Sequence, residues 1–259
     1  MTDYLSELFQ LKNKTAVVIG AGGHLCSEMA LNLAKAGVHI AILDKDEKIL
    51  KEKEALIKST TSECLAVTMD ATKKRSLEKA KEKILVRFGD IDILINGAGI
   101  NAPTPFLEIT LEEWYRILDS QITATFLGCQ VFGAHMIKQK KGSIINMSSA
   151  SAGPPLSKAF TYSVAKAGIK NLTQNLAREW APHHVRVNAL RPGFFPTDWS
   201  MKHFIDKKRE QAIFAHTPMG RYGRPEELAG AVLWLSSEAA SFVTGAEITI
   251  DGGFTCMTI

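Results

Sequence analysis

The sequence predicts an α/β protein with a parallel, doubly wound sheet flanked by helices, folded as a single domain over residues 1–259. Three observations support this prediction. Short, continuous apolar runs alternate with amphipathic stretches of helical length, which is the pattern of successive β-α units. The connections between them are short, as in parallel sheets with helical crossovers. No internal repeat, low-complexity tract or linker-like segment divides the chain.

The composition is that of a globular protein with a full core. Apolar residues make up 46% of the chain and charged residues 22%. The net charge of +4 is spread along the chain, with alternating signs between residues 45 and 58, so no nucleic-acid surface is expected. The acidic N-terminus and the lack of a long apolar run predict neither a secretory signal nor a membrane span.

The cysteines and histidines predict neither disulfides nor a metal site. The four cysteines are far apart and form no Cys-x-x-Cys pair, which is typical of a reducing, cytoplasmic compartment. The seven histidines show no ligand spacing with acids or cysteines. His183 and His184 fall at a predicted helix end, where capping or exposure to solvent is the favoured interpretation.

The first part of the chain predicts four strands joined by three helices. Residues 15–19 form a continuous apolar and β-branched run, as expected for a strand buried on both faces. Gly37 and Gly89 each follow a helical stretch, where glycine commonly ends a helix. The predicted strands cover residues 15–19, 38–43, 64–69 and 91–95, and the helices cover residues 25–36, 47–58 and 73–88.

The second part predicts three further helices and three further strands. The helices cover residues 111–137, 159–180 and 225–236, the last with Pro225 at its first position. The strands cover residues 142–147, 184–190 and 246–250. Three prolines interrupt residues 191–224, where no strand is predicted.

Glycines and polar residues cluster at the carboxyl ends of the predicted strands. Right-handed crossovers bring these ends to one edge of the sheet, where ligands bind in a crevice. The residues concerned are Gly20 to Gly23, Asp44, Asp70, Asn96 to Gly99, Ser149 and Pro192-Gly193. The sequence therefore predicts one binding cleft along this edge.

A glycine turn, Gly20 to Gly23, joins the first strand to the first helix of the sheet. Without side chains, the backbone can approach a pyrophosphate, and the helix N-terminus supplies N–H donors. Asp44 ends the second strand, where a carboxylate accepts ribose hydroxyls and repels a 2′-phosphate. This favours NAD over NADP, although the adjacent Lys45 weakens the preference. The simpler alternatives are a plain tight turn and a turn-starting aspartate.

Tyr162 and Lys166 are four residues apart in a predicted helix, so their side chains share one face. A neighbouring ammonium lowers the pKa of a phenol, which suits a proton donor and acceptor for a carbonyl/alcohol couple. The alternative is a surface tyrosine beside a solvated lysine. Among the four tyrosines, Tyr162 alone has lysine four residues later.

Over nearly its whole length the chain resembles the single-domain members of the short-chain dehydrogenase/reductase family, which have a Rossmann-type fold. The residues that carry the resemblance are the glycine turn, Asp70, Asn96 to Gly99, Ser148-Ser149 with Ser149 thirteen residues before Tyr162, Tyr162 to Lys166, Arg186 to Asn188, Pro192-Gly193 with Thr197, and Thr244-Gly245 before Asp251 to Gly253. Residues 131–133, 192–195 and 215–221 also resemble the branch of mannonate oxidoreductases and fructuronate reductases.

The resemblance implies roles for particular residues. Tyr162 exchanges a proton with the substrate oxygen, and Lys166 lowers the pKa of Tyr162 and holds the nicotinamide ribose. Ser149 hydrogen-bonds the substrate oxygen, and Gln121 is the fourth catalytic candidate. The implied cofactor-binding residues are Gly20, Gly22, Gly23, His24, Leu25, Asp44, Asp70, Ala71, Asn96, Gly97, Ala98, Tyr162, Lys166, Pro192, Gly193, Phe195 and Thr197.

The chain departs from the family pattern at two places. His24 and Cys26 replace the last two glycines of the turn, and Cys26 is expected to disturb close helix–strand packing and weaken cofactor binding. Gln121 replaces an asparagine that holds a water of the proton relay. Its longer side chain is expected to shift or interrupt that relay.

By the same resemblance, residues 194–224 form a lid over the substrate. The aromatic residues there either stack on a substrate ring or pack the lid, and packing is favoured; together with one histidine they are Phe194, Phe195, Trp199, His203 and Phe214. Arg221 and Arg224 are candidates for binding an anionic substrate, with a structural ion pair as the alternative.

The family also implies a homotetramer, assembled through the Tyr162 helix, the long helix before it and the C-terminal strand region. The apolar tail over residues 254–259 would be poorly covered in a monomer.

Together these features predict an NAD(H)-dependent oxidoreductase that interconverts a secondary alcohol and a ketone, with a sugar acid or a polyol as the suggested small-molecule substrate. One alternative is a 3-oxoacyl thioester reductase, which Asp44 disfavours because such a reductase is expected to prefer NADP. The other is a cofactor-binding protein that has lost catalysis. The departures from the family pattern favour it, and the intact serine, tyrosine and lysine disfavour it.

Overall fold

The computed structural model of the chain describes residues 4–60 and 63–257, and within them seven strands form one parallel sheet. The spatial order of the strands is β3-β2-β1-β4-β5-β6-β7. Their bounds are β1 Thr15–Ile19, β2 His39–Asp44, β3 Cys64–Thr68, β4 Ile93–Asn96, β5 Gly142–Met147, β6 Val185–Pro192 and β7 Glu247–Ile250. The predicted Rossmann-type fold is confirmed.

Helices cover both faces of this sheet. Their bounds are α1 Tyr4–Phe9, α2 His24–Lys35, α3 Glu47–Lys58, α4 Lys74–Phe88, α5 Leu111–Leu118, α6 Ala124–Gln139, α7 Phe160–Trp180, α8 Asp198–His203, α9 Lys207–Ala215 and α10 Ala229–Ser236. No helix of the described residues is long and apolar enough to cross a membrane. The same residues contain no cluster of three or more His, Cys, Asp or Glu side chains suited to a metal ion.

The strand order reverses around β1, which pairs with β2 on one side and β4 on the other. Alternate side chains of β1 point to opposite faces of the sheet and enter two separate cores. Val18 packs with the core that includes Leu33, and Val17 packs with the core that includes Phe132. A crevice for ligands forms where the crossovers leave β1 in opposite directions.

The predicted helix over residues 111–137 is interrupted. A π-helical turn, Asp119–Thr123, separates α5 from α6. One extra residue per turn widens a helix locally, and such turns are common at functional sites. The turn places Gln121 in the interior, with its amide nitrogen donating to the carbonyl oxygen of Ile100 (2.9 Å). This long-range contact explains why the helical pattern alone did not show the break.

The segment predicted as irregular, residues 191–224, contains α8 and α9. Thr197 caps α8 by accepting a hydrogen bond from the Ser200 N–H (3.1 Å), and Asp206 caps α9 by accepting one from the Arg209 N–H (2.8 Å). Side-chain caps of this kind start helices even between prolines. The predicted helix 225–236 likewise begins as a 3-10 turn, Pro225–Leu228, before α10.

Candidate active site

A cleft of about 410 Å³ opens at the carboxyl ends of β1, β4, β5 and β6. It brings together most of the residues predicted for catalysis and cofactor binding. Those that line it are Gly23, His24, Leu25, Gly97, Gln121, Ser149, Tyr162, Lys166, Pro192, Gly193, Phe195 and Thr197. The remaining predicted residues, Gly20, Gly22, Asp44, Asp70, Ala71, Asn96 and Ala98, are not part of its lining.

Tyr162 and Lys166 lie in the first turns of α7, on the face that closes one wall of the cleft. Lys166 is 4% exposed, and its ammonium donates a hydrogen bond to the carbonyl oxygen of Met147 (2.6 Å). The same nitrogen lies 5.3 Å from the centre of the Tyr162 ring. The helical spacing therefore places the two side chains next to each other, as predicted.

Burial shifts both groups toward their neutral forms. It raises the pKa of Tyr162, and a hydrogen bond with Ser149 acts in the opposite direction. It lowers the pKa of Lys166 to about 8. Desolvation of the phenol is the larger influence in this structure, and the expectation that Lys166 lowers the pKa of Tyr162 stays a prediction. The consequence is a tyrosine that holds its proton at neutral pH.

Ser149 follows β5 and begins a short 3-10 turn, Ala150–Ala152. Its hydroxyl oxygen accepts hydrogen bonds from the backbone N–H (3.2 Å) and the hydroxyl (3.1 Å) of Ser151. With these acceptor positions used, the Ser149 hydroxyl keeps its proton for donation on the cleft side, where Tyr162 is its partner. Ser149 and Tyr162 thus present two hydroxyl groups to the same volume.

Behind Ser149, a largely buried ion pair ties its turn to the sheet. Glu247 of β7 accepts from the Ser148 hydroxyl (2.6 Å) and pairs with Arg191 of β6 (3.2 Å). Arg191 also donates to the carbonyl oxygen of Ala150 (3.2 Å). Both charged side chains are 11% exposed. The residues on either side of Ser149 are therefore held by one charged network.

Gln121 connects the π-helical turn to the loop after β4. Its Oε1 is buried without a hydrogen-bond partner among the described residues. Its amide group occupies the place of a Cβ at Gly99, so this loop position requires glycine. The Lys166 ammonium bonds the carbonyl of Met147 rather than Gln121. A relay role for Gln121 stays a prediction.

The glycine turn has the shape expected of an anion cradle. Gly20 has a φ of +81°, and a Cβ there would lie 2.6 Å from the backbone nitrogen of Ala98. Only glycine satisfies both conditions. The turn leads directly into the N-terminus of α2, where His24 is exposed.

Cys26 does not disturb the packing of α2 in the way its size predicts. Its side chain is 4% exposed, and its sulfur fills the space in which a Cβ of Gly97 would stand. Helix α2 and the end of β4 can therefore approach closely, because Gly97 has no side chain and leaves room for the sulfur of Cys26. Burial raises the pKa of the Cys26 thiol to about 12, so it stays protonated.

Asp44 lies beside the glycine turn and is oriented by backbone N–H groups. Its Oδ2 accepts from Gly22 (3.0 Å) and its Oδ1 accepts from Lys45 (2.7 Å). A Cβ at Gly22 would lie 2.9 Å from the same Oδ2, so the glycine permits this contact. Asp70 lies at the surface, where hydrogen bonds from Thr72 lower its pKa.

Two predicted cofactor residues have structural contacts of their own. The side chain of Asn96 is buried and donates to Asn146 Oδ1 (2.8 Å), joining β4 to β5, so it lies in the core rather than facing the cleft. Thr197 lines the cleft, but its hydroxyl caps α8. A direct side-chain contact of Asn96 with a cofactor is therefore not supported.

The arginines singled out in the lid form ion pairs. Arg221 pairs with Glu227 at 2.7 Å, and Arg224 pairs with the same carboxylate at 3.2 Å. The structural alternative is thus correct for both. Phe194 packs edge-on against Phe254, with ring centres 5.1 Å apart, as the packing alternative predicts. The side chain of Trp199 lies outside the described part of the chain.

Sequence reasoning missed several residues of the cleft. They come from the lid helices and from two loops, and they include Asn101, Leu156, Ser200, Phe204, Ile205 and Arg209. Arg209 stands three residues after Asp206, which caps α9. The sequence signal for α9 was a capping aspartate, Asp206, followed by a basic stretch. This signal does not show which face of α9 covers the cleft.

The comparisons with known proteins agree with this geometry. A family model described as Enoyl-(Acyl carrier protein) reductase matches residues 20–255. An uncharacterized oxidoreductase, UxuB of Bacillus subtilis strain 168, is 40% identical, over 94% of this chain and 95% of its own length. An NAD-dependent glycerol dehydrogenase of Listeria innocua serovar 6a is 35% identical, over 95% of this chain and 96% of its own.

Among solved structures, a gluconate 5-dehydrogenase from Burkholderia cenocepacia J2315 in complex with NADP and tartrate is similar, with a TM-score of 0.92 and 27% identity. It covers 97% of this chain and 100% of its own. The fold, the cleft and these matches define an oxidoreductase with a Rossmann-type domain. The chain belongs to the short-chain dehydrogenase/reductase family. Its relatives include proteins named for NAD and others bound to NADP.

Proposed function

We propose that the protein is an NAD(H)-dependent oxidoreductase that interconverts a secondary alcohol and a ketone. The observation that carries this proposal is the meeting of Ser149, Tyr162 and Lys166 in one cleft that also reaches the first turn of α2. Relatives named as glycerol and gluconate dehydrogenases support an alcohol or sugar substrate.

The residues of the cleft suit a nicotinamide dinucleotide. The turn needs glycine at positions 20 and 22, where a Cβ would meet the backbone of Ala98 and the carboxylate of Asp44. It leads into the N-terminus of α2, whose backbone N–H groups suit a pyrophosphate. The Lys166 ammonium is positioned to hold the nicotinamide ribose. When bound, the dinucleotide supplies or accepts the hydride.

The protein's own residues handle the proton and the charge. In reduction, Tyr162 donates its proton to the carbonyl oxygen, and in oxidation it removes the hydroxyl proton. Ser149 donates a hydrogen bond to the same oxygen and stabilises its developing charge. Lys166 lies 5.3 Å from the tyrosine ring and stabilises the phenolate that forms when the proton leaves.

The proposed cofactor preference is NAD(H), and it rests on Asp44. A carboxylate held beside the glycine turn accepts hydrogen bonds from ribose hydroxyls, whereas a 2′-phosphate would meet its negative charge. We expect Asp44→Ala to shift the ratio of NADPH to NADH affinity by ~10-fold or more, which is about 1.4 kcal/mol. Glu52→Gln, which removes an exposed acid of α3, is the control. Equal affinities in the unmodified protein would refute the role of Asp44.

The function itself is tested by following NADH oxidation across ketoses, keto acids and 3-oxoacyl thioesters. Turnover of a ketone that disappears in Tyr162→Phe supports the proposal, because only the hydroxyl is removed. Turnover confined to acyl thioesters with NADPH would favour the acyl reductase alternative. Tight NADH binding without turnover of any compound would favour a protein that has lost catalysis.

We also propose a homotetramer and a lid formed by residues 194–224. Large apolar side chains of α5, α6 and α7 face solvent in the single chain, among them Tyr115 (58% exposed), Phe126 (45%) and Val164 (52%). Exposed apolar surface of this kind is typical of subunit contacts. The prediction that the apolar tail over residues 254–259 needs cover from another subunit includes residues 258–259, which lie outside the described residues.

A further inference from the structure

Arg209, the third residue of α9, lines the same cleft as Ser149, Tyr162 and Lys166. Its Nη2 donates to the carbonyl oxygen of Ser157 (2.8 Å). Its Nη1 is buried and has no hydrogen-bond partner among residues 4–60 and 63–257. The neighbouring acid, Asp206, does not serve it, because this carboxylate caps α9 and pairs with Lys158 (3.5 Å). The guanidinium therefore has an unused donor.

The charge of the cleft favours an anion. Lys166 and Arg209 line it, and none of the described lining residues is an aspartate or a glutamate. Apolar residues such as Leu156, Phe204 and Ile205 make up much of the rest. A cation placed in largely apolar surroundings loses hydration, and the charge of nearby Asp206 offsets only part of that loss. Burial accordingly lowers the pKa of Arg209.

The arginines nearest to Arg209 in the lid cannot take this role. Arg221 and Arg224 are already paired with Glu227. Lys166 is close to Tyr162 and Met147, on the side expected to hold the nicotinamide ribose. An acidic group of the substrate would thus find its unpaired cation at Arg209.

We propose that Arg209 binds the carboxylate of the substrate, so that the cleft selects a hydroxy acid or keto acid over the neutral polyol or ketose of the same skeleton. The inference rests on the proposed function, because the reacting carbonyl is assigned to Ser149 and Tyr162. A guanidinium offers two parallel donors to a carboxylate, which gives orientation as well as affinity. Nη1 is covered by neighbouring atoms in the structure, so a carboxylate reaches it only if those atoms move.

Binding, measured apart from turnover, tests the proposal. Three sugar acids are titrated calorimetrically: D-gluconate and D-mannonate into the NADH-saturated protein, and 5-keto-D-gluconate into the NAD⁺-saturated protein. These pairings leave no hydride to transfer, so the heat reports binding. Each is compared with the neutral compound that has a hydroxymethyl group in place of the carboxylate: D-glucitol, D-mannitol and L-sorbose. We expect at least one acid to bind ~10-fold or more tightly than its neutral partner, as for a charge-assisted hydrogen bond.

Variants then assign the effect to Arg209. Arg209→Gln should abolish most of the acid-over-neutral ratio, and Arg209→Lys should keep part of it, since the charge remains without the fork. Lys208→Gln, an equal change of charge at the exposed neighbouring position, should leave the ratio as it is. NADH affinity should stay the same in all three, because Arg209 is assigned to the substrate.

Three results would overturn the proposal. They are equal affinities for acid and neutral partners, binding of none of the three acids, and an Arg209→Gln protein that loses affinity for both partners alike. The last result would mean that Arg209 acts only by holding the Ser157 loop. Failure of the proposed function looks different, because acids would then bind through Arg209 while NADH is never oxidised by any ketone.

Discussion

The ion pair behind Ser149 gives a quantitative prediction of stability. Glu247→Gln keeps the shape of the side chain but removes its charge, so the 11%-exposed Arg191 loses its counter-ion. The Ser148 hydroxyl can still donate to the amide oxygen, but the new NH₂ group faces the guanidinium, where two donors meet. The change therefore breaks the pair without relieving the burial of Arg191.

The expected loss is set by the burial of the two partners. Breaking a buried ion pair from one side costs ~3–5 kcal/mol. Lys170 also approaches Glu247, at 3.4 Å, but it is 38% exposed and contributes little. We take the lower end, about 3 kcal/mol, because neither main partner is fully enclosed. For a chain of this length that corresponds to a drop in Tm of ~6–12 °C.

Urea unfolding at one protein concentration measures this loss, since association between subunits would otherwise add to stability. Glu238→Gln is the matched control. It removes an acid that pairs with Lys14 at 2.8 Å, but Glu238 is 52% exposed, so a loss below about 1 kcal/mol is expected. The double variant Glu247→Leu with Arg191→Met should recover much of the stability. Equal losses for Glu247→Gln and Glu238→Gln would refute the reasoning.

Five further predictions concern the site and the proposed assembly. Ser149→Ala should lower kcat ~100-fold or more while NADH affinity stays constant, as measured by steady-state kinetics and fluorescence titration. Lys166→Met should stabilise the cofactor-free protein at pH 7 by up to about 3 kcal/mol, because the native ammonium is charged at a buried position. Lys166 should contribute stability that increases between pH 8 and its unfolded pKa of 10.5, where the unfolded chain binds more protons at this residue. Buried thiols such as Cys26 act in the opposite direction above pH 9, so the contribution is measured as the difference in urea midpoint between the unmodified protein and Lys166→Met, which should narrow in favour of the unmodified protein across this range. Gln121→Asn should slow turnover if the relay depends on the longer amide, and an unchanged or higher rate would mean that it does not. Val164→Glu should dissociate the proposed tetramer, and sedimentation of the unmodified chain as a monomer would contradict that assembly.

Local sequence signals were sufficient for most strands and for the helices with clear ends. The bounds of β1, β5 and α3 agree residue for residue with the prediction. In α3, Asp46 caps the first turn by accepting from Ile49 N–H (3.1 Å), and a salt bridge between Lys58 and Glu54 (2.9 Å) supports the last turn. Continuous apolar runs and caps depend on neighbours in sequence, so a pattern can show them.

The parts that sequence could not show depend on contacts between distant segments. The π-helical turn follows from the bond between Gln121 and Ile100, two segments that meet only in the fold. The sequence is compatible with Arg221 binding a substrate anion or forming a structural ion pair, and only the folded structure shows its pairing with Glu227. No sequence motif singles out Arg209, because it reaches the cleft only through the packing of α9 over the cleft.

The contact between positions 26 and 97 shows why a departure from a family pattern cannot be weighed one residue at a time. Taken alone, Cys26 adds a side chain where close approach of helix and strand is needed. Gly97, which belongs to the family pattern, has no side chain at the end of β4. In the structure the sulfur of the first occupies the space left by the second, so the interior stays filled. Residues in contact are coupled, and their effects do not add. The space that Cys26 needs is therefore supplied by Gly97, a position that sequence alone treats separately, and the nearby turn still has the positive φ of +81° at Gly20 that its geometry requires.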